Sequence, residues 1–217
     1  MTISISFEEK RCPILIRLPS VIFKIKRVES NLGWMMLKKK QYREAQKRAL
    51  EYMLKAGVVL SEEEKQNIGV ADFGLSDLEH QGGQILTFFN TDRISAKVIV
   101  LFPWQILPEH WHPQLGNDIG KEEVMRVRWG EVYLYMPGDP TPNSRAKIVP
   151  EEKKHFTVWH EIILRPGDQY IIPPRAVHWF QAGEDGAVID DYSSTARDLQ
   201  DGFTNPEVVR ETKIVDD

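Results

Sequence analysis

The sequence predicts a mainly β chain, a sandwich or barrel of jelly-roll type, preceded by helices. Three observations carry that expectation. Short runs rich in Val, Ile, Phe, Tyr and Trp recur from Gln84 onward. Gly and Pro punctuate them at Pro137-Gly138, Pro140, Pro142, Pro166-Gly167, Pro173-Pro174 and Gly183. The strongly helical text lies ahead of them.

In order, Leu37 to Ala56 reads as a helix, with Ala45, Ala49, Leu50, Tyr52 and Met53 at helical spacing and Gly57 as the stop. Ser61 and Glu64 form a capping-box pattern, so a short helix is expected up to Asn67. Asp72 to Gln84 is polar and glycine-containing, a loop. Strands are then expected at Ile85–Asn90, Ala96–Phe102, Gln105–Trp111, Val124–Met136, Phe156–Leu164, Gln169–Ile172, His178–Ala182 and Ala187–Tyr192. The acidic end, Asp198 to Asp217, is expected to wrap the surface.

The 217 residues fit one domain, or one domain with a flanking arm. With 41% hydrophobic and 28% charged residues the chain can bury a core. A net charge of -4 and the lack of a basic, aromatic-interleaved stripe argue against nucleic-acid or membrane-surface partners. Cys12 is the only cysteine, which excludes an intrachain disulfide and suits a reducing compartment, the cytoplasm. No apolar run reaches the ~18 residues of a membrane span. Residues 1–34 carry six basic and three acidic residues and lack clear periodicity. Two readings stand: a start-site extension, with the natural product beginning near Met35, or a short N-terminal strand packed on a neighbour. The main domain is read as 35–217.

Two patterns carry chemistry. The first is His110-Trp111-His112, then Glu123, then Gly130; the second is Gly167, Pro173, Arg175 and His178. On an extended strand residues i and i+2 share a face, so His110 and His112 point together. The turn-rich loop from Pro113 to Gly120 can return the chain to bring Glu123 opposite them. Glu122 competes locally, but adjacent strand residues point oppositely, so only one of the two faces the histidines. Three imidazoles and a carboxylate are a plausible ligand set for one divalent ion: Mn, Fe, Co, Ni or Zn in preference to Ca or Mg. Singly, each has a bland reading: a polar strand histidine, a surface glutamate. The joint spacing favours the metal.

These residues resemble the two signature motifs of the cupin superfamily. Glu123, not Glu122, keeps the six-residue gap to Gly130. The chain departs in its ten-residue His112–Glu123 loop and in lacking the leading glycine of the first motif. In the second, Arg175 stands where the motif has a glycine and Ala182 where it has an asparagine. The resemblance implies a cupin-type jelly-roll β-barrel with the metal in its mouth, and a homodimer. Longer strings are similar to D-lyxose isomerases of the cupin type: Ala96-Lys97, Leu107 to Pro113, Gly120 to Glu123, Arg126 to Tyr135, Trp159-His160-Glu161 and Ser193 to Asp198. That family implies interconversion of D-lyxose with D-xylulose, usually with Mn²⁺, and often of D-mannose with D-fructose.

Aldose–ketose isomerisation moves a proton between C1 and C2 through an enediolate, which needs a carboxylate base and stabilisation of oxygen charge. Asp191, thirteen residues after His178, is the candidate base; the resemblance places a glutamate there, one methylene longer. Lys121 lies two residues before Glu123, on its face if the segment is extended, and the resemblance gives it a role at the substrate oxygens. Lys97, on an apolar strand, and Arg128 are candidate sugar-binding residues, with Glu109 ranked below them because it faces away from His110. Trp111, Tyr135, Trp179 and Phe180 suit either a wall for sugar C–H faces or the core. The rivals are another metal-dependent cupin enzyme, such as an Fe(II) oxygenase, and a non-catalytic sugar-binding cupin.

Overall fold

Residues 36–217 are described by the computed structural model; the two readings of residues 1–34 fall outside the described residues. In chain order the elements are β1 (Leu37–Lys38), α1 (Lys39–Lys55), α2 (Glu62–Gln66), β2 (Gly69–Ala71), β3 (Gly83–Asn90), β4 (Ile94–Leu101), β5 (Ile106–Trp111), β6 (Glu123–Met136), β7 (His160–Leu164), β8 (Gln169–Ile172), β9 (His178–Ser194), β10 (Gly202–Phe203) and β11 (Ile214–Val215). β2 to β10 form one antiparallel sheet. Its main path runs β10-β5-β9-β4-β3-β2, and β6 pairs with β7, β8 and β9.

One interior core draws on strands from all sides of this sheet, which is what closes it into a barrel. Ile99 and Leu101 come from β4, Met125 and Leu134 from β6, and Phe180 and Ile189 from β9. The alternate residues of β4, Val98 and Val100, face outward and are covered by Ala45, Ala49 and Met53 of α1. α1 is therefore held by its apolar stripe; burying one side chain such as Met53 contributes about 1.5–3 kcal/mol. The capping box of α2 forms as expected: Glu64 N donates to Ser61 Oγ at 3.2 Å and Ser61 N donates to Glu64 Oε2 at 2.7 Å.

The structure departs from the sequence reading at several ends. The first helix starts at Lys39, because Leu37 and Lys38 pair in parallel with Ile214 and Val215. The strand expected from Phe156 starts at His160, after a 3-10 turn at Lys153–His155. Phe156 and Trp159 still pack against Trp179, so their apolar character serves a side core. Gly69–Ala71 adds a strand, Gly83 and Gln84 join β3, and the two strands expected at 178–192 are one.

That last difference matters for the site. In β9 the core-facing residues are Phe180 and Ala182, then Ala187 and Ile189, a change from even to odd positions. In β6 they are Met125 and Val127, then Val132 and Leu134, a change from odd to even. The β6–β9 ladder shifts register between Val127 and Trp129 and again between Gly130 and Val132, the signature of bulges. Gly130 and Gly186 meet there with φ of 79° and 86°. A Cβ on Gly130 would lie 2.1 Å from the Gly186 carbonyl oxygen, so only glycine fits. The parity change lets His178 and Asp191, an odd number of residues apart, face one cavity. Arg175, at the position of the motif's glycine, keeps the left-handed backbone that glycine would supply, with φ of 66°.

Candidate metal centre

His110 leaves the end of β5, His112 follows just beyond it, and His178 opens β9 opposite His110 in the ladder. The three side chains are buried and each offers a ring nitrogen, all within 4.8 Å of one another. Their outer nitrogens are already engaged. Nδ1 of His110 lies 2.9 Å from the Pro108 carbonyl oxygen, and Nδ1 of His178 lies 2.9 Å from that of Ala176. Nδ1 of His112 lies 2.7 Å from Asp201 Oδ1. A carbonyl only accepts, so Nδ1 carries the hydrogen in His110 and His178 and their neutral rings present a lone pair on Nε2. Burial pulls the His110 pKa well below its ordinary value and that of His178 down to about 4, which keeps both rings neutral.

Glu123, the first residue of β6, faces these nitrogens. Its Oε2 is 2.8 Å from His112 Nε2, 4.0 Å from His178 Nε2 and 3.0 Å from Lys121 Nζ. Burial opposes its charge, but the Lys121 ammonium and the His112 hydrogen bond outweigh burial and hold the carboxyl well below the usual range. Burial likewise opposes a charged His112, yet its hydrogen bonds to Asp201 and Glu123 win and raise its pKa. Among the described residues nothing hydrogen-bonds the buried Nε2 of His178. An orphaned imidazole lone pair beside two more imidazoles and an ionised carboxylate fits a divalent metal ion.

The same cavity collects the polar groups for chemistry. Lys97, Ile99 and Asp191 line it with His110, His112, Glu123 and Lys121. Asp191 lies between Lys97 of β4 and Met125 of β6 in the ladders, and its Oδ1 is buried without a hydrogen-bond partner among the described residues. Burial and the negative Glu123 push its carboxyl up to about 7. Lys97 Nζ is 2.5 Å from Asp198 Oδ2, and Lys121 Nζ is 4.0 Å from Asp198 Oδ1. Burial acts against the Lys121 ammonium, but Glu123, Asp191 and Asp198 more than compensate, so its pKa is raised and it stays charged.

Two expected sugar-binding residues lie elsewhere. Arg128 is an odd number of residues from Glu123, faces the outside of the barrel and pairs with Asp190 at 3.0 Å. Glu109 is buried under the strand and accepts from Thr157 N, Thr157 Oγ1, Val158 N and Thr204 Oγ1 at 2.6–3.0 Å; it ties loops together and does not line the cavity. Of the aromatic candidates, Phe180 reaches the cavity, while Tyr135 and Trp179 stack at 3.8 Å in the side core. Asp198, Asp201 and Arg210 line the cavity without having been singled out, so the acidic tail does more than wrap the surface. The one sequence signal for them was the string ending at Asp198.

No family model matches the chain. Among curated proteins it is 52% identical over 180 residues to a D-lyxose ketol-isomerase of Thermofilum sp., covering 83% of this chain and all of that one. It is 48% identical over 181 residues to a D-lyxose/D-mannose isomerase of Thermosediminibacter oceani, with the same coverages. Among solved structures, L-ribose isomerase of Cellulomonas parahominis superposes with a TM-score of 0.69 at 15% identity, over 83% of this chain and 99% of that one. The Geodermatophilus obscurus enzyme gives 0.63 at 14% over the same shares, and at such identity the likeness concerns the fold.

Proposed function

The chain belongs to the D-lyxose ketol-isomerase family, and from that premise we propose that it interconverts D-lyxose with D-xylulose, and D-mannose with D-fructose, using one divalent metal ion, Mn²⁺ by preference over Co, Fe, Ni or Zn. His110, His112, Glu123 and His178 would hold the ion. The observation that carries this reading is the meeting, in one buried cavity, of three imidazoles beside an ionised carboxylate and a second carboxylate, Asp191, with an oxygen free of partners. When bound, the metal supplies Lewis acidity that stabilises negative charge developing on the sugar oxygens.

Asp191 is the base. Its carboxylate takes the proton from C2 of the open-chain aldose as the C1 carbonyl becomes an enediolate, and it returns that proton to C1. A proton passes from the C2 oxygen to the C1 oxygen, so the sugar is rearranged without net loss or gain. Burial raises the proton affinity of the Asp191 carboxyl, which suits a group that must both accept a proton and give it back. Lys121 stays an ammonium beside Glu123 and is placed to steady negative oxygen and to move the hydroxyl proton. Lys97 orients the sugar from β4, held by Asp198. We further place the protein in the cytoplasm, as its single cysteine suggests, and as a homodimer, as the cupin resemblance implies.

The test is a panel of pentoses and hexoses, assayed with and without added Mn²⁺ and with oxygen excluded. D-lyxose is expected to turn over in the presence of metal and without oxygen. Failure of every sugar, or turnover that requires oxygen, would contradict the reading and favour the oxygenase or the sugar-binding alternative.

A further inference from the structure

The three histidines are not held alike. Nδ1 of His110 and of His178 each bond a carbonyl two residues earlier in the chain, Pro108 within β5 and Ala176 in the turn that leads into β9, so the local chain alone orients those rings. His112 lies beyond the last residue of β5 and finds its partner 89 residues away, on Asp201. That meeting follows from a strand register. β10 pairs antiparallel with β5, Gly202 opposite Trp111 and Phe203 opposite His110, and the next position of the ladder sets Asp201 opposite His112. Gly202 makes the pairing possible: a Cβ there would come within 2.2 Å of the Trp111 ring. The segment is fastened by Thr204, whose Oγ1 donates to Glu109 at 2.6 Å, and by Asp198 on Lys97. Phe203 stacks on the His110 ring at 5.8 Å.

We propose that Asp201 is a positioning residue for the metal centre, and that residues 198–204 form a strap whose seating and metal binding strengthen each other. The inference rests on the reading that His110, His112, Glu123 and His178 hold a divalent ion. A carboxylate on Nδ1–H fixes the ring's orientation and tautomer and makes Nε2 a better donor to a metal; removing such a partner commonly weakens binding about 10–100-fold. By linkage, whatever binds the seated strap's His112 more tightly also holds the strap down.

The test uses the full chain, stripped with a chelator and titrated with Mn²⁺ against a chromophoric competitor. The unsubstituted protein is compared with Asp201→Ala, Asp201→Asn and Gly202→Ala, and with Glu184→Ala, an exposed residue, as control. Amide hydrogen exchange of residues 198–204 is followed with and without metal. Asp201→Ala is expected to weaken Mn²⁺ binding about 10–100-fold. Asp201→Asn, which still accepts from Nδ1–H but lacks the charge, is expected to fall between it and the unsubstituted protein. Gly202→Ala weakens binding with Asp201 intact, because the strap lifts. Metal slows exchange in the strap of the unsubstituted protein and less so in Asp201→Ala. Affinity of Asp201→Ala and Asp201→Asn within twofold of the control, even with a lower melting temperature, would overturn the inference and leave the metal-site reading standing. An unsubstituted protein that binds no Mn²⁺ would overturn both.

Discussion

Replacing Gly130 with alanine probes the crossing that turns β6 and β9 over. Gly130 holds φ of 79°, where a residue with a Cβ costs roughly 1–2 kcal/mol. The new methyl would start 2.1 Å from Gly186 O and 3.0 Å from Ala187 Cα, both backbone, so the two strands must separate. Forcing extra volume into packed structure costs typically about 1–3 kcal/mol. Together these give about 2–5 kcal/mol, or a fall in melting temperature of roughly 4–20 °C for a domain of this size. Gly116→Ala supplies the reference, since Gly116 has φ of 60° but nothing within 4 Å of its added Cβ. The comparison separates backbone strain, shared by both, from the collision, present in one. Thermal unfolding followed by circular dichroism reads the stability, and sugar turnover reads the site, because β9 carries both His178 and Asp191. Losses in Gly130→Ala no greater than in Gly116→Ala, within about 0.5 kcal/mol, would refute the claim that this close approach sets the strand crossing.

Four other outcomes are expected. His112→Ala loses bound metal, read by elemental analysis, and loses turnover with it. Asp191→Asn keeps its metal and lowers kcat about 10²–10⁴-fold, and an unchanged kcat would move the base to another residue. Arg128→Ala leaves kcat and KM within about twofold and costs at most about 1 kcal/mol of stability, since its pair with Asp190 lies on the outer face; a tenfold rise in KM would return it to the sugar site. Deleting residues 1–34 leaves turnover intact if they are a start-site extension, whereas an insoluble or inactive product would contradict that reading and make the segment part of the working domain.

The grouping of His110, His112 and Glu123 was legible because its geometry is local. His110 and His112 share a face by strand alternation, and the spacing to Gly130 distinguished Glu123 from Glu122. Gly130 itself was readable as a motif glycine, though not as the point where two strands turn over. That turnover explains why Asp191 could not be placed by alternation: thirteen residues from His178, it should face away, and only the bulges around Gly130 and Gly186 bring it inward. Arg128 illustrates the opposite error. Its odd separation from Glu123 already turned it outward, and the structure puts it there. Asp201 and Arg210 were hidden for a further reason. Asp201 adjoins a two-residue strand, β10, too short to leave a hydrophobic period, with Gly202 alone marking its approach to Trp111, and Arg210 sits on a bend seven residues past that strand, where no periodicity exists.

The most direct measurement of the central claim is metal content and D-lyxose turnover on the same preparation, before stripping, after stripping with a chelator, and during stepwise return of Mn²⁺. The expected result is loss of turnover on stripping and recovery that saturates at one ion per chain, with the His112→Ala protein recovering neither. Undiminished turnover in the stripped protein, or recovery in His112→Ala equal to that of the unsubstituted chain, would contradict a metal centre built on these histidines.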